Sequence, residues 1–181
     1  MRCRRCARRS PEVLPPLAQF VSYEALDNIT ESHDNCGCTD QVDAHQANFL
    51  DYTSHEADIN TGSQCTSHDG LSTWDAGNLR NDAVATTCSW AWPTPGIKND
   101  LREADTRFNT HDNDFTNKPT ASCSNKYDIR SVGTHEAGHV FGLKDNSGAH
   151  TNLTMHESSI LCSTRARTLG KGDVLGLRSI Y

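Results

Sequence analysis

Apolar side chains recur at helical intervals in three stretches of the chain. In residues 17–31, "LAQFVSYEALDNITE", this spacing predicts one amphipathic helix. From Lys126 the spacing returns, and Gly142 is placed to end that second helix. A third, shorter helix is predicted at 172–181, with Asp173 near its N-terminus. The expected core positions of the three helices are Leu17, Phe20, Val21, Ala25, Leu26 and Ile29; Ile129, Val132, Ala137, Val140, Phe141 and Leu143; and Val174, Leu175, Leu177 and Ile180.

Between residues 40 and 110 the pattern changes to short apolar runs separated by Gly, Asn, Asp and Ser. The runs "ADIN", "LSTW", "AVATTCSWAW" and "LREADTRFN" predict strands joined by loops. In the last run Ala104, Thr106 and Phe108 alternate with polar residues, as in a strand with one buried face. Residues 109–125 form a polar stretch typical of a loop. The order of helix, strands, helix, turn and helix predicts an α+β domain.

The chain has 181 residues, enough for one domain with its own core. We expect that domain to span 17–181. Residues 1–16 are basic and rich in proline, and we expect them to be disordered and to form no strand before the first helix. No apolar run is long enough to span a membrane, and no signal peptide can be read in this chain.

The charge of the chain argues against a nucleic-acid or membrane partner. The net charge is −6 although five arginines lie in the first nine residues, so the body of the protein is strongly acidic. Such a body repels phosphate backbones and anionic lipids.

The eight cysteines lack the paired C-x-x-C knuckles of a structural zinc site. Six of them lie in turn-like sequence, which predicts disulfides and an extracellular protein. Reduced, buried thiols are the alternative. The pairing cannot be deduced from the spacing, although plausible loops are closed by Cys36 or Cys38 with Cys65, and by Cys123 with Cys162.

The segment "THEAGHVFGLKDN", residues 134–146, carries a metal-ligand pattern. His135 and His139 are four residues apart, so on a helix both imidazoles can reach one ion. Glu136 is placed to act as a general base on a water molecule at the metal. Gly142 permits a sharp turn as a hinge, and Asp145 would return as the third ligand. His150 fits this offset less well than Asp145 does.

The extended motif "HEAGHVFGLKD" resembles the zinc signature of metzincin metalloendopeptidases, in the variant with an aspartate as third ligand that is seen in snapalysin-like proteases. "NLTMHES" supplies Met155 where that clan has a methionine turn. The resemblance implies one catalytic zinc ion held by His135, His139 and Asp145, with Glu136 as base and then acid.

The resemblance also implies a fold and a substrate. The expected fold is a matrixin-like domain with a small twisted mixed sheet, a long N-terminal helix, an active-site helix and a C-terminal helix, from which the first strand is missing. An extended polypeptide would pair with the edge strand near residues 83–92, and Trp90 and Trp92 would either border the cleft or lie in the core. The residues assigned to this strand are Ala83, Ala85, Thr87 and Trp90.

The sequence therefore predicts a secreted, monomeric zinc endopeptidase. Two alternatives stay open: an inactive metzincin-like binding domain or truncated gene product, motivated by the missing strand, and a disulfide-stapled module with a purely structural metal. Residues 111–117, "HDNDFTN", offer oxygen donors for Ca²⁺, but they lack the glycine and the final glutamate of an EF-hand loop, so a solvated loop is favoured.

Overall fold

The structure, a computed structural model, describes residues 6–9, 17–38, 49–80, 82–92 and 100–181. These residues form a mixed α+β fold with a small mixed sheet, as predicted. The strands are β1 Cys6–Arg9, β2 Phe49–Thr53, β3 Ser72–Gly77, β4 Ala85–Trp92, β5 Asp100–Asn109, β6 Phe115–Thr116 and β7 Tyr127–Asp128, and the helices are α1 Leu17–Thr30, α2 Ile129–Val140 and α3 Lys171–Ile180.

The main sheet has the strand order β2-β1-β3-β5-β4. Its neighbours run parallel except β4, which is antiparallel to β5 at one edge. The expectation that no strand precedes the first helix is wrong, since β1 lies between β2 and β3. The backbone hydrogen bonds to these two neighbours hold β1 in the sheet. Its sequence, CARR, lacks the β-branched residues by which a strand is recognised. The rest of the predicted disordered segment, 1–5 and 10–16, lies outside the described residues.

One face of the sheet packs against the helices. The core between them contains Trp74, Ala104 and Phe108 from the strands, together with every core position predicted for α2. From the described part of α1 it takes Ala25, Leu26 and Ile29, and from α3 it takes Val174 and Leu177. Leu175 was expected in the core but is exposed, because the buried face of α3 is narrower than the number of its apolar residues suggests.

The other face of the sheet is also covered, which the sequence did not indicate. The segment 54–71 lies over it, and Ala57 and Ile59 form a second apolar cluster there with Leu79 and Cys88. The polar residues of β5 on this face, Glu103, Asp105, Arg107 and Asn109, are therefore buried rather than exposed to solvent. Arg107 is 7% exposed and forms an ion pair with Asp75, which is fully buried.

The strand prediction was right for β3, β4 and β5 and wrong at two other places. "ADIN" is part of the covering segment, where Ile59 makes only an isolated bridge to Cys65. The strand β2 was missed, because "FLDYT" is too short to show alternation.

In the part of the chain that the structure describes, three cysteine pairs lie at disulfide distance, and they fit the expected extracellular location. The predicted pair Cys123–Cys162 is confirmed. The pairing of Cys36 or Cys38 with Cys65 is wrong: Cys36 and Cys38 pair with each other, and Cys65 joins Cys88. Among the described residues no helix is long and apolar enough to cross a membrane.

Candidate metal centre

The helix α2 begins and ends at well-defined caps. Asp128 caps its N-terminus by accepting a 2.8 Å hydrogen bond from the Ser131 amide, and Arg167 fixes the same carboxylate. At the other end the chain reverses at Gly142, whose φ is +88°, a value that glycine reaches without strain. This reversal at Gly142 brings Asp145 back toward the helix.

Three potential ligand atoms converge beside this helix. The Nε2 atoms of His135 and His139 are 3.2 Å apart, and Asp145 Oδ1 lies 3.1 Å from the first and 3.3 Å from the second. Ligand atoms in a tetrahedral zinc complex, with bonds of about 2.0 to 2.2 Å, are roughly 3.3 to 3.6 Å apart. The edges of the triangle lie at or just below this range, so its size is close to one face of a zinc tetrahedron, and the donor set of two imidazoles and a carboxylate suits zinc.

The hydrogen bonds that the Nδ1 atoms of the two histidines make determine which ring nitrogen has a lone pair free for a metal ion. His135 Nδ1 lies 2.9 Å from the Thr154 carbonyl oxygen, and His139 Nδ1 lies 3.0 Å from the Leu143 carbonyl oxygen. A carbonyl can only accept, so each Nδ1 carries the hydrogen. In the neutral rings both Nε2 lone pairs therefore point toward the Asp145 carboxylate, an arrangement that needs a metal ion or a proton between these atoms.

A proton competes with a metal ion for the position between the two Nε2 atoms and the Asp145 carboxylate. Burial opposes the charged form of His135, but the hydrogen bond to Asp145, the charge of Glu136 and the Thr154 carbonyl together raise the pKa of His135 to about 9. The hydrogen bond from His135 holds the pKa of Asp145 below its usual range. Metal binding here would release that proton.

Met155 lies directly beneath α2, as the resemblance implied. It is 2% exposed, and its side chain packs against Gly138, where an added Cβ would stand 3.0 Å from Met155 Cε. The turn around it is clamped by Asp173, whose carboxylate accepts the amides of Thr154 at 2.8 Å and Met155 at 3.2 Å. The Thr154 carbonyl that orients His135 is therefore held by α3.

Glu136 is buried, at 5% exposure, and a chain of hydroxyls orients it. Thr87 Oγ1 donates a 2.6 Å hydrogen bond to Glu136 Oε2. Thr87 Oγ1 also lies 2.9 Å from Thr106 Oγ1, so Thr106 must be the donor of that second bond. One carboxylate oxygen of Glu136 is thus fixed, which leaves Oε1 for other partners.

The converging residues open onto a cleft of about 550 Å³ between α2 and the edge strand β4. His135, Glu136, His139, Gly142 and Asp145 line one wall. From the residues assigned to the edge strand, Ala83, Ala85 and Thr87 line the opposite wall, whereas Trp90 does not. Because side chains alternate along a strand, Trp90 lies on the other face of the sheet, packed on the Cys88 cluster. Trp92 is exposed.

Two parts of this site were not predicted from the sequence. Asp173 was assigned only to the start of α3, and no spacing rule links it to residues 154 and 155. The two threonines of the hydroxyl chain come from adjacent strands, so only the strand register places them together.

Among the described residues, four groups of His, Cys, Asp or Glu lie close enough to share an ion, and the loop 111–117 contributes to none of them. His111 and Asp112 are exposed and pair with each other. The expectation of a solvated loop is wrong for the end of this segment, since Phe115–Thr116 form β6 and Phe115 packs against the core. His150 is also exposed and belongs to no group.

No family model and no curated protein matches this sequence. The chemistry proposed below therefore depends on the geometry of the site and on the motif itself.

Proposed function

We propose that this protein is a zinc-dependent endopeptidase that hydrolyses peptide bonds of extended polypeptides. The observation that supports it most directly is the convergence of His135 Nε2, His139 Nε2 and Asp145 Oδ1 within 3.3 Å of one another beside a buried, oriented Glu136. A zinc ion held there would polarise the scissile carbonyl and lower the pKa of a water molecule toward neutrality.

Glu136 would take the proton of the attacking water on Oε1 and then pass it to the leaving amine. Thr87 supports this role because its hydrogen bond holds the other oxygen and fixes the plane of the carboxylate. The Thr154 and Leu143 carbonyls keep both histidines in the tautomer that presents Nε2 to the ion.

The substrate would bind along β4. Among the described strands β4 pairs only with β5, so its outer backbone groups are available to an extended peptide. The cleft is open and runs along this strand, which favours a polypeptide over a compact small molecule. Binding through backbone hydrogen bonds gives broad recognition, with preference set by the side-chain pockets.

The exposed position of Asp145 supports catalysis over a structural metal. Its side chain is 52% exposed, and the ligand triangle faces the cleft. Catalytic zinc sites keep a coordination position open in this way, whereas structural sites are closed by four protein ligands. The inactive-domain alternative was motivated by a missing strand before the first helix, and β1 is such a strand.

The test combines zinc analysis with cleavage of casein and of a peptide library. Wild type should hold one zinc per chain and lose cleavage on chelation. Glu136→Gln should keep the zinc and lose at least about 100-fold in kcat/KM, the usual contribution of a general base. The control Glu157→Gln changes an exposed carboxylate of the same cleft and should cleave like wild type.

Zinc-loaded wild type that cleaves no peptide in the library would refute the proposal and leave the inactive binding domain. Equal activity of the Glu136 and Glu157 variants would refute the role given to Glu136.

A further inference from the structure

A second group of acidic side chains lies on the opposite face of the sheet from the metal centre. Along β5, Ala104 and Thr106 face the helices, so Glu103 and Asp105 face the covering segment 54–71. Both acids are 1% exposed. Asp58, from the covering segment, is the third member, and one carboxylate oxygen from each of the three lies within 4.8 Å of the others.

Backbone amides satisfy only part of this group. Asp105 accepts the amides of Asp58 at 2.7 Å and Thr73 at 2.7 Å, and Glu103 Oε2 accepts the amide of Gly70. Glu103 Oε1 and Asp58 Oδ2, in contrast, are buried without any hydrogen-bond partner. Buried carboxylate oxygens are costly unless something positive pairs with them.

The nearby arginine does not neutralise the group. Arg107, two residues along the same face of β5, donates to the Asp75 carboxylate and to the carbonyls of Ile59 and Ala57. Its guanidinium is committed to these partners and to Glu56. Burial raises the pKa of Asp105 to about 7 and also raises the pKa of Glu103, because the interior disfavours their charged forms.

We propose that Asp58, Glu103 and Asp105 form a binding site for one calcium ion that fastens the segment 54–71 to the back of the sheet. The donors are all oxygens, which suits a hard cation rather than zinc. Ser67 supplies a further oxygen nearby, since its hydroxyl donates a 2.9 Å hydrogen bond to Asp58 Oδ1. Ligands from a loop and a strand give the adaptable geometry that Ca²⁺ accepts and Mg²⁺ does not.

The site is independent of the proposed peptidase chemistry. A cation here would link the covering segment to β5, and the Cys65–Cys88 disulfide links the same segment to the neighbouring β4, so the effect of the cation is on the stability of the covering segment. Extracellular calcium modules bind in the range of about 10⁻⁴ to 10⁻³ M.

The experiment follows thermal unfolding and calorimetric binding of zinc-loaded protein freed of calcium on a chelating resin. Adding CaCl₂ should show one site and raise Tm by roughly 5 to 10 °C once calcium exceeds its Kd about 100-fold. MgCl₂ at the same concentration should give a smaller shift.

Glu103→Gln is the decisive variant, because it keeps the shape and the oxygen that accepts the Gly70 amide. It should lose the calcium response. Without calcium its Tm should equal or exceed that of wild type, since the amide can donate to the neighbouring carboxylates. Asp58 lies in the covering segment and is itself half-buried, and Asp58→Asn should weaken calcium binding at least tenfold.

Asp114→Asn is the matched control in the polar loop 111–117, and it should respond to calcium like wild type. Asp145→Asn should lose zinc but keep the calcium shift, which separates this inference from the peptidase proposal. Absence of a calcium shift in wild type, or a full shift in Glu103→Gln, would overturn the inference whatever the cleavage assay shows.

Discussion

The contact between Gly138 and Met155 allows a test that does not depend on the chemistry of the site. Replacing Gly138 by alanine adds one methyl group on the side of α2 that rests on the methionine. That methyl would stand 3.0 Å from Met155 Cε and nearer still to the sulfur, well inside the comfortable separation of about 3.5 to 4.0 Å.

Two opposing effects set the size of the change. Alanine favours the helix over glycine by about 1 kcal/mol. Overpacking a buried site costs about 1 to 3 kcal/mol, and Met155 has little room to move because it is 2% exposed and its amide is bound by Asp173. The difference between the two effects predicts that Gly138→Ala lowers the stability of the wild-type protein by about 0 to 2 kcal/mol.

The sign should reverse when the methionine is removed. Met155→Ala by itself opens a cavity and costs about 2 to 5 kcal/mol. In that background the clash is gone, so Gly138→Ala should stabilise by up to about 1 kcal/mol. The coupling between the two changes is then about 1 to 3 kcal/mol, above the 0.5 kcal/mol or so expected of independent sites.

Thermal and urea unfolding of the four proteins measures this coupling. About 2 to 4 °C of Tm per kcal/mol is expected for a chain of this size. Additive effects within about 0.5 kcal/mol would refute the packing described beneath α2. Zinc affinity gives a second measurement. The Thr154 carbonyl, next to Met155, accepts the hydrogen bond that orients His135, so Gly138→Ala should also weaken zinc binding.

Three further substitutions test other parts of the structure. Asp173→Ala leaves buried amides of the methionine turn without an acceptor, so we expect a loss of about 3 to 5 kcal/mol in unfolding experiments and weaker zinc binding; an unchanged zinc affinity would contradict the clamp. Thr87→Val removes the donor to Glu136 and should lower kcat about tenfold with little change in KM, whereas Thr87→Ser should restore it; equal kcat values in the two variants would exclude this positioning role. Arg107→Met leaves the buried Asp75 carboxylate without its ion-pair partner and should lower the free energy of unfolding, measured in urea, by about 3 to 5 kcal/mol. Combining Arg107→Met with Asp75→Leu should recover much of that loss.

The elements that the sequence predicted well are those whose pattern is local. The helix α2 and its core positions follow from spacing, and the reversal at Gly142 follows from the conformational freedom of that residue. The convergence of His135 and His139 requires only a helix, so the ligand pair could be predicted before any tertiary contact was known.

The predictions failed where a distant segment decided the outcome. β1 is a strand because β2 and β3 flank it, although its own residues favour no strand. β5 was taken for a strand with one solvated face, since an alternating pattern cannot reveal that a loop forty residues earlier covers the polar side. The pairing of Cys36 or Cys38 with Cys65 failed for the same reason, because cysteines pair by proximity in space.

The sequence by itself determined the spacing of the candidate metal ligands and of Glu136, and the α+β order of elements, because these depend on intervals of a few residues along one backbone. Only the tertiary structure decided how Asp173 holds the turn beneath the helix, how the threonines of β4 and β5 orient Glu136, and why three acids are buried behind the sheet. These contacts join segments tens of residues apart, and their positions follow from strand register and packing, which no local interval encodes.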